Sequence, residues 1–303
     1  MKLLFVVLGL FVSGFICIWV IELARHRSSN PSLRMRPTLF NLVVGFIANF
    51  FDTLGIGSFA TTSAFFKLWG LVRDEQIPGT LNVGNTIPSV LQAFIYISIV
   101  QVDIMTLSLM ISASVFGAWA GARVVSGWPR RNIQICMGIA LLLAAVTMLM
   151  TQLSVLPPAG EHLGLTGLRL ATGLAGNFIF AAIMMAGIGF YAPCLTLVSL
   201  LGMSPRAAFP IMMGSCAFMM PVGSIPFIRR KSYDVKAAIG IAVGGVPAVL
   251  LAAYLVRSLP LVAVRWLVIV VVTYTAMMML RSAVTESRAR RRAKDLAGEV
   301  VGN

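Results

Sequence analysis

LGIGSFA at residues 54–60 and AGIGFYA at residues 186–192 lie 132 residues apart, and these two stretches decide how the chain folds. Nearly the same spacing recurs further along the chain in pairs of identical residues. These pairs are Gly70 and Gly202, Pro78 and Pro210, Asp103 and Asp234, and Pro129 and Pro260. A repeat at one period indicates two similar halves, each opened by a Gly-Ile-Gly sequence.

The composition is that of a membrane protein. Of 303 residues, 58% are hydrophobic and 11% are charged, and the mean hydropathy is +0.92. Soluble domains carry about 25% charged residues. Several apolar runs of about 20 residues could each span a bilayer. The fold class predicted is therefore an all-α polytopic membrane protein with one membrane domain.

The net charge of +14 does not indicate nucleic-acid binding. The basic residues fall in short loops and at the C-terminus, as expected from membrane topology. A nucleic-acid-binding protein would group them on one soluble face. No nucleic-acid partner is predicted.

Two apolar segments, 38–70 and 165–201, are too long for single spans. Segment 38–70 as one helix would measure about 50 Å, against a hydrocarbon core of about 30 Å. Each segment contains a Gly-Ile-Gly near its middle, and each glycine weakens a helix by about 1 kcal/mol relative to alanine. Each segment is therefore predicted to form two shorter helices joined at the glycines. The other apolar segments lie near 2–22, 78–100, 103–126, 132–152, 206–228, 235–257 and 261–281.

The distribution of lysine and arginine favours a topology in which both broken segments turn back to the side they entered. That topology places 19 of the 24 basic residues inside, against 15 if each segment crosses once. It also makes the halves inverted repeats, with the N-terminus outside the cell membrane and the C-terminus in the cytoplasm. The divisions predicted are an N-terminal transmembrane helix and basic loop (1–36), repeat 1 (37–152), repeat 2 (165–282) and a basic cytoplasmic tail (283–303).

The helix breaks suggest an anion site. The N-terminus of a half-helix carries about half a positive charge and free N–H groups, so two such ends can bind an anion without lysine or arginine. Hydroxyl and thiol groups follow each break. The alternative is that these small residues only let helices approach closely. The candidate substrate-binding residues are Asn49, Asp52, Thr53, Gly55, Gly57, Ser58, Thr61, Thr62, Asn82, Asn85, Gly187, Gly189, Tyr191 and Cys194.

Asp52 is the only acidic residue well inside a predicted apolar segment. A charge there costs about 2.5–3.5 kcal/mol on insertion scales, so the carboxyl should be protonated, paired or in contact with water. Asp52 is the candidate proton-coupling residue, and the alternative is a structural helix cap. Its neighbourhood includes a polar helix face formed by Asn82, Asn85, Ser89 and Gln92. Together with Asn49 and Asn177, this face either lines the site or only joins helices by hydrogen bonds.

Other chemistries have little support in the sequence. The four cysteines show no CxxC spacing, the two histidines lie in loops, and the 17 methionines are interpreted as apolar packing. No P-loop and no HExxH sequence occurs. We therefore expect no enzyme activity, no cofactor and no bound metal. The basic tail is predicted to bind anionic lipid headgroups, and a homo-oligomer is left open.

The chain resembles the sulfite exporter TauE/SafE family, also called the 4-toluene sulfonate uptake permease family. The resemblance covers about residues 40–282, through GFIANFFDTLGIGSFATTSAFFK (45–67), IPGTLNVGNTIPS (77–89), GAWAGARVVSGWPRR (117–131) and AGIGFYAPCLTLVSLLGMSPRAAFP (186–210). Many members have a longer glycine run at the first break, where this chain has Ser58 after Gly57. The resemblance implies a duplicated permease whose substrates are sulfur-containing anions such as sulfite and sulfonates.

The predicted function is a secondary transporter of small anions that works by proton-coupled alternating access. The alternatives are a transporter of a cation or metal ion, and a membrane assembly or sensory protein that does not transport.

Overall fold

The described part of the computed structural model is helical and contains no strand; it comprises residues 2–29, 35–55, 57–153, 161–255 and separate positions between 269 and 284. Its helices are α1 (Lys2–Ser29), α2 (Leu39–Thr53), α3 (Ser58–Trp69), α4 (Ile77–Ile99), α5 (Ile104–Val125), α6 (Arg130–Gln152), α7 (Gly167–Met184), α8 (Tyr191–Leu200), α9 (Pro205–Arg229) and α10 (Val235–Leu255). A 3-10 helix (Asp74–Gln76) precedes α4. The predicted helix near 261–281 and the tail 283–303 lie largely outside the described residues.

Five of the described helices, α1, α5, α7, α9 and α10, are long and apolar enough to cross a bilayer. Helix α4 has the length but carries the polar face noted in the sequence, with Asn82, Asn85 and Gln92 all fully buried. The chain is therefore a multi-pass membrane protein in which one central helix is unusually polar.

Both long segments break at their glycines, as predicted. Helix α2 ends at Thr53 and α3 begins at Ser58, while α7 ends at Met184 and α8 begins at Tyr191. Gly55, Gly57 and Gly187 have φ values of +83°, +92° and +92°. These values lie in the left-handed region, which glycine adopts without the steric cost that a Cβ brings.

Each broken segment forms a hairpin that returns to the end where it starts. In hairpin 1 (α2 and α3), the ring centroids of Phe40 and Trp69 lie 5.6 Å apart. In hairpin 2 (α7 and α8), the His162 N–H donates to the Gly202 carbonyl (3.4 Å), and the Ser204 N–H donates to the His162 carbonyl (2.9 Å). Helix α3 has 12 residues and α8 has 10, so they measure about 18 and 15 Å, too short to cross a bilayer.

The open ends of the hairpins lie at opposite ends of α4. Near hairpin 1, the Asp234 N–H donates to the Thr80 hydroxyl at 2.8 Å. Near hairpin 2, the Asp103 N–H donates to the Leu163 carbonyl at 2.9 Å. Helix α4 has 23 residues and separates these two contacts by about 34 Å.

Helices of each half pack against helices of the other half. Helix α2 packs against α10, α7 packs against α5, and α4 packs against α9. Glycines let these helices approach closely. A Cβ on Gly121 would lie 2.2 Å from the Ala182 carbonyl oxygen, and a Cβ on Gly244 would lie 2.2 Å from the Leu42 carbonyl oxygen.

Polar contacts at the helix ends also hold the bundle together. The Asp103 carboxylate caps α5 by accepting from the Thr106 N–H and hydroxyl, both at 2.7 Å. These donors hold the pKa of Asp103 below its ordinary value of 3.8. At the open end of hairpin 1, buried Asp74 accepts from Lys67 at 2.8 Å and from Gln134 at 2.8 Å. That contact ties α3 to α6.

Candidate functional site

A cavity of about 10 Å³ lies between the two helix breaks, enough for roughly one water molecule. It is lined by residues of α2, α3, α4, α7, α8 and α9 and by the turns at both breaks. The lining residues are Asp52, Gly57, Ser58, Phe59, Ser89, Met184, Gly189, Phe190, Tyr191, Cys216 and Met220.

Most of the lining residues form pairs that lie 132 positions apart and therefore correspond to each other in the two halves. The pairs are Asp52 with Met184, Gly57 with Gly189, Ser58 with Phe190, and Phe59 with Tyr191. The cavity therefore lies where corresponding parts of the two halves meet. The two halves contribute different chemical groups, because the carboxylate of Asp52 in one half corresponds to the thioether of Met184 in the other.

The first residues of two helices border the cavity. Ser58 begins α3 and Tyr191 begins α8. The first N–H groups of a helix have no partner within it, and they add partial positive charge. The described lining contains no lysine, arginine or histidine, so these helix ends are its source of positive potential.

Asp52 belongs to the last turn of α2, and its carboxylate lies at the N-terminus of α3. One carboxylate oxygen accepts from the backbone N–H of Ser58, and the other accepts from Nε2 of Gln92 at 2.9 Å. The side chain is only 3% exposed. The Ser58 N–H, predicted to be free for a substrate, is thus bound by the chain's own carboxylate.

Gln92 links the two halves across the cavity. Its Nε2 also donates to the Thr53 hydroxyl at 3.0 Å, and its Oε1 accepts from the Tyr191 hydroxyl at 2.9 Å. Tyr96 donates to the Thr53 carbonyl at 2.6 Å, which satisfies a carbonyl at the end of α2. A continuous hydrogen-bonded chain therefore runs from Asp52 through Gln92 to Tyr191.

Five of the predicted site residues line the cavity: Asp52, Gly57, Ser58, Gly189 and Tyr191. Thr53 is next to it through its bond with Gln92. Their shared location comes from the two glycine turns.

The remaining predicted residues do not line the cavity. Asn49 donates to Asn85 at 3.0 Å, so these two residues join α2 to α4. Asn82 donates to the Pro78 carbonyl of its own helix at 2.8 Å. Thr61 and Thr62 lie further along α3.

In and beside hairpin 2, the polar contacts also lie away from the cavity. The Cys194 thiol donates to Asn177 at 3.4 Å, and Asn177 donates to the Met110 carbonyl at 2.6 Å. Of the two other glycines, Gly55 would place a Cβ 3.0 Å from the Phe209 ring, and Gly187 lies in the turn after α7.

Sequence reasoning left several lining residues out of the candidate site. Ser89 lines the cavity and Gln92 bonds to the lining residues Asp52 and Tyr191; the helical spacing of their polar face was the signal that could have placed both at the site. Met184 was detectable as the repeat equivalent of Asp52. Cys216 and Met220 carried no such signal; they lie on α9, which packs against α4 and borders the cavity.

A family model described as sulfite exporter TauE/SafE matches residues 1–148 and 169–302. None of the curated proteins and none of the solved structures matches the chain.

Proposed function

The chain belongs to the sulfite exporter TauE/SafE family of membrane transporters, and from this premise we propose that it is a secondary transporter of small anions. Sulfite and organic sulfonates are the first candidates for its substrate. The proposed binding site is the cavity between the two helix breaks.

The observation that carries the proposal is the convergence of equivalent residues on that cavity. The N-termini of α3 and α8 border it, and such helix ends attract anions at the centre of transporters built from repeats. Irregular backbone at membrane depth is tolerated where it is buried in protein or lines a cavity. Both breaks meet that condition.

We further propose that the halves are inverted repeats that alternate access to the site. If a broken segment crossed the bilayer once, its two ends would lie about 30 Å apart. The hydrogen bond of 2.9 Å between Ser204 and His162 and the contact between Phe40 and Trp69 support hairpins instead. The basic loops then orient the chain in the cell membrane with its N-terminus outside and its C-terminus in the cytoplasm.

Asp52 is the proposed proton-coupling residue. It is the acidic group among the described lining residues, and an ionisable side chain inside a membrane domain is costly to bury and typical of proton and ion pathways. A cavity of about 10 Å³ is too small for a sulfonate, so this structure corresponds to a closed state that must open for substrate to enter.

The test is a flux assay with purified protein in proteoliposomes. Sulfite, a set of sulfonates and a set of carboxylates are offered at two pH values, with protein-free liposomes as the control. We expect protein-dependent uptake of at least one sulfur-containing anion, faster under an inward proton gradient. Absence of uptake for every anion would refute the proposal.

The lining also gives reason for a second candidate function, transport of a soft metal cation. Met184, Cys216 and Met220 bring sulfur atoms to the same cavity as Asp52, and thiolate and thioether ligands select ions such as Cu(I). Silver ion, a soft monovalent cation, is therefore included in the panel. Protein-dependent silver uptake without anion uptake would favour this function over the first.

A further inference from the structure

We propose that the Asp52 carboxylate occupies the place of the substrate anion in this structure, so that a monovalent anion binds only when Asp52 carries a proton. The consequence is symport of one proton with one anion. This inference rests on the proposed function and specifies how its site is coupled.

The donors around Asp52 are those that an oxyanion would use. The Ser58 N–H and the Gln92 Nε2 each bind one of the carboxylate oxygens. A sulfonate presents the same kind of charged oxygen acceptor, which favours N–H donors in such positions. Both anions therefore compete for the same two donors.

The charges around the cavity argue against simultaneous binding of two anions. The titratable groups that face Asp52 are Tyr96 from α4, Tyr191 from α8 and Cys216 from α9, and the described lining includes no cationic side chain. Phenols and thiols are neutral near pH 7. An ionised Asp52 would therefore repel a substrate anion in a space of about 10 Å³, with no cationic side chain among the described lining residues to neutralise the second charge.

Protonation of Asp52 resolves this conflict. A proton from the side where substrate enters binds to the carboxylate and removes its charge. The anion then accepts from the Ser58 N–H and the Gln92 Nε2 in its place. After the cavity opens to the other side, the anion and the proton leave, and the ionised carboxylate binds the two donors again.

The cavity carries one negative charge both when empty and when loaded. Empty, that charge is the Asp52 carboxylate; loaded, it is the anion beside a neutral carboxyl. The same conformational change can therefore serve both states, and the cycle is electroneutral. The site accordingly selects monoanions such as sulfonates and hydrogen sulfite.

Methanesulfonate is the probe because it remains a monoanion at every working pH, so that pH dependence reports on the protein. Proteoliposomes contain a fluorescent pH indicator, and valinomycin with potassium clamps the membrane potential. We expect methanesulfonate to carry one proton inward per anion, with a rate that the clamped potential does not change. Above the pH at which the carboxyl ionises, the apparent Kd should rise tenfold per pH unit. Sulfite is measured in parallel.

Three variants accompany the wild type. Asp52→Asn should abolish proton entry while exchange of internal for external anion continues and becomes independent of pH. Asp52→Glu should restore proton entry. Asp103→Asn is the matched control, because it removes an acidic group outside the cavity and should keep one proton per anion.

Proton entry that persists in Asp52→Asn would overturn the inference, and the wild type can overturn it even if a variant fails to fold. Anion uptake without proton entry, or with proton exit, would overturn the inference and leave the proposed transport function standing. Absence of uptake for methanesulfonate, sulfite and the remaining panel would overturn both.

Discussion

The bond between Gln92 and Tyr191 is the contact that should reveal most clearly how the two halves are coupled. Gln92→Leu removes a donor to the Asp52 carboxylate, a donor to the Thr53 hydroxyl and the acceptor of the Tyr191 hydroxyl. A hydrogen bond to a charged group contributes about 1.5–3 kcal/mol, and a buried polar group left without a partner costs about 1–3 kcal/mol. We expect Gln92→Leu to destabilise the protein by about 3–6 kcal/mol.

Tyr191→Phe isolates the part of this effect that crosses between the halves. It should cost about 1–3 kcal/mol, because it leaves the buried Gln92 Oε1 without its donor. The double variant should be no less stable than Gln92→Leu alone, since both changes remove the same bond. The expected coupling energy is therefore at least the cost of Tyr191→Phe, about 1–3 kcal/mol.

The assay is thermal unfolding of the four proteins in one detergent, where each kcal/mol corresponds to roughly 2–4 °C in Tm for chains of about 150–250 residues. The matched control is Ser98→Ala on the exposed face of the same helix, where the hydroxyl bonds only its own helix. It should shift Tm by no more than about 1–2 °C. Strictly additive losses for Gln92→Leu and Tyr191→Phe would refute the coupling across the cavity.

Three further predictions test the scaffold. Gly121→Ala should lower Tm by several degrees, because its Cβ would lie 2.2 Å from a carbonyl oxygen of α7. The control, Gly9→Ala, should leave Tm unchanged, because nothing lies within 4 Å of the added Cβ. Equal shifts in Tm for the two variants would contradict this packing. Gly57→Ala should lower the free energy of unfolding by about 1–2 kcal/mol, because φ is +92° at that position. Gly189→Ala, at the equivalent position of the other break, should be tolerated. Unfolding of the two variants under the same conditions compares the two costs. Asp103→Ala should lose about 0.5–2 kcal/mol of cap energy at pH 7, with Asp103→Asn near wild type. Since the pKa of Asp103 is lowered in the folded state, its pairing stabilises the protein above pH 3.8, and this stabilisation is lost as the pH falls below that value. If the difference in stability between wild type and Asp103→Ala stayed the same down to pH 2, this prediction would be contradicted.

The helix breaks could be predicted from sequence because they depend on local chemistry. Two glycines in three residues weaken a helix wherever they occur, and α2, α3, α7 and α8 begin and end close to where the sequence placed them. The length of each segment added an independent constraint, since one helix of that length would exceed the bilayer.

The contacts of the site could not be predicted from sequence because they depend on the angle between helices. Asp52 and Ser58 are six residues apart, and only the turn at Gly57 brings the carboxylate to the start of α3. The bond between Gln92 and Tyr191 joins residues 99 positions apart. From the sequence, Asn49 and Asn85 are as plausible as site residues as those that line the cavity. In the structure, α2 packs on α4 so that Asn49 and Asn85 bond to each other instead.

The central claim, that the substrate binds between the two breaks, can be tested at Cys216, which lines the cavity. A variant that keeps Cys216 and replaces Cys17, Cys136 and Cys194 with serine is treated with a small sulfonated thiosulfonate reagent in detergent. A second variant that keeps only Cys17, which is exposed on α1, serves as the control. The account predicts that a transported anion slows labelling of Cys216 and leaves labelling of Cys17 unchanged. Equal labelling of Cys216 with and without the anion, in a preparation that transports it, would contradict the account.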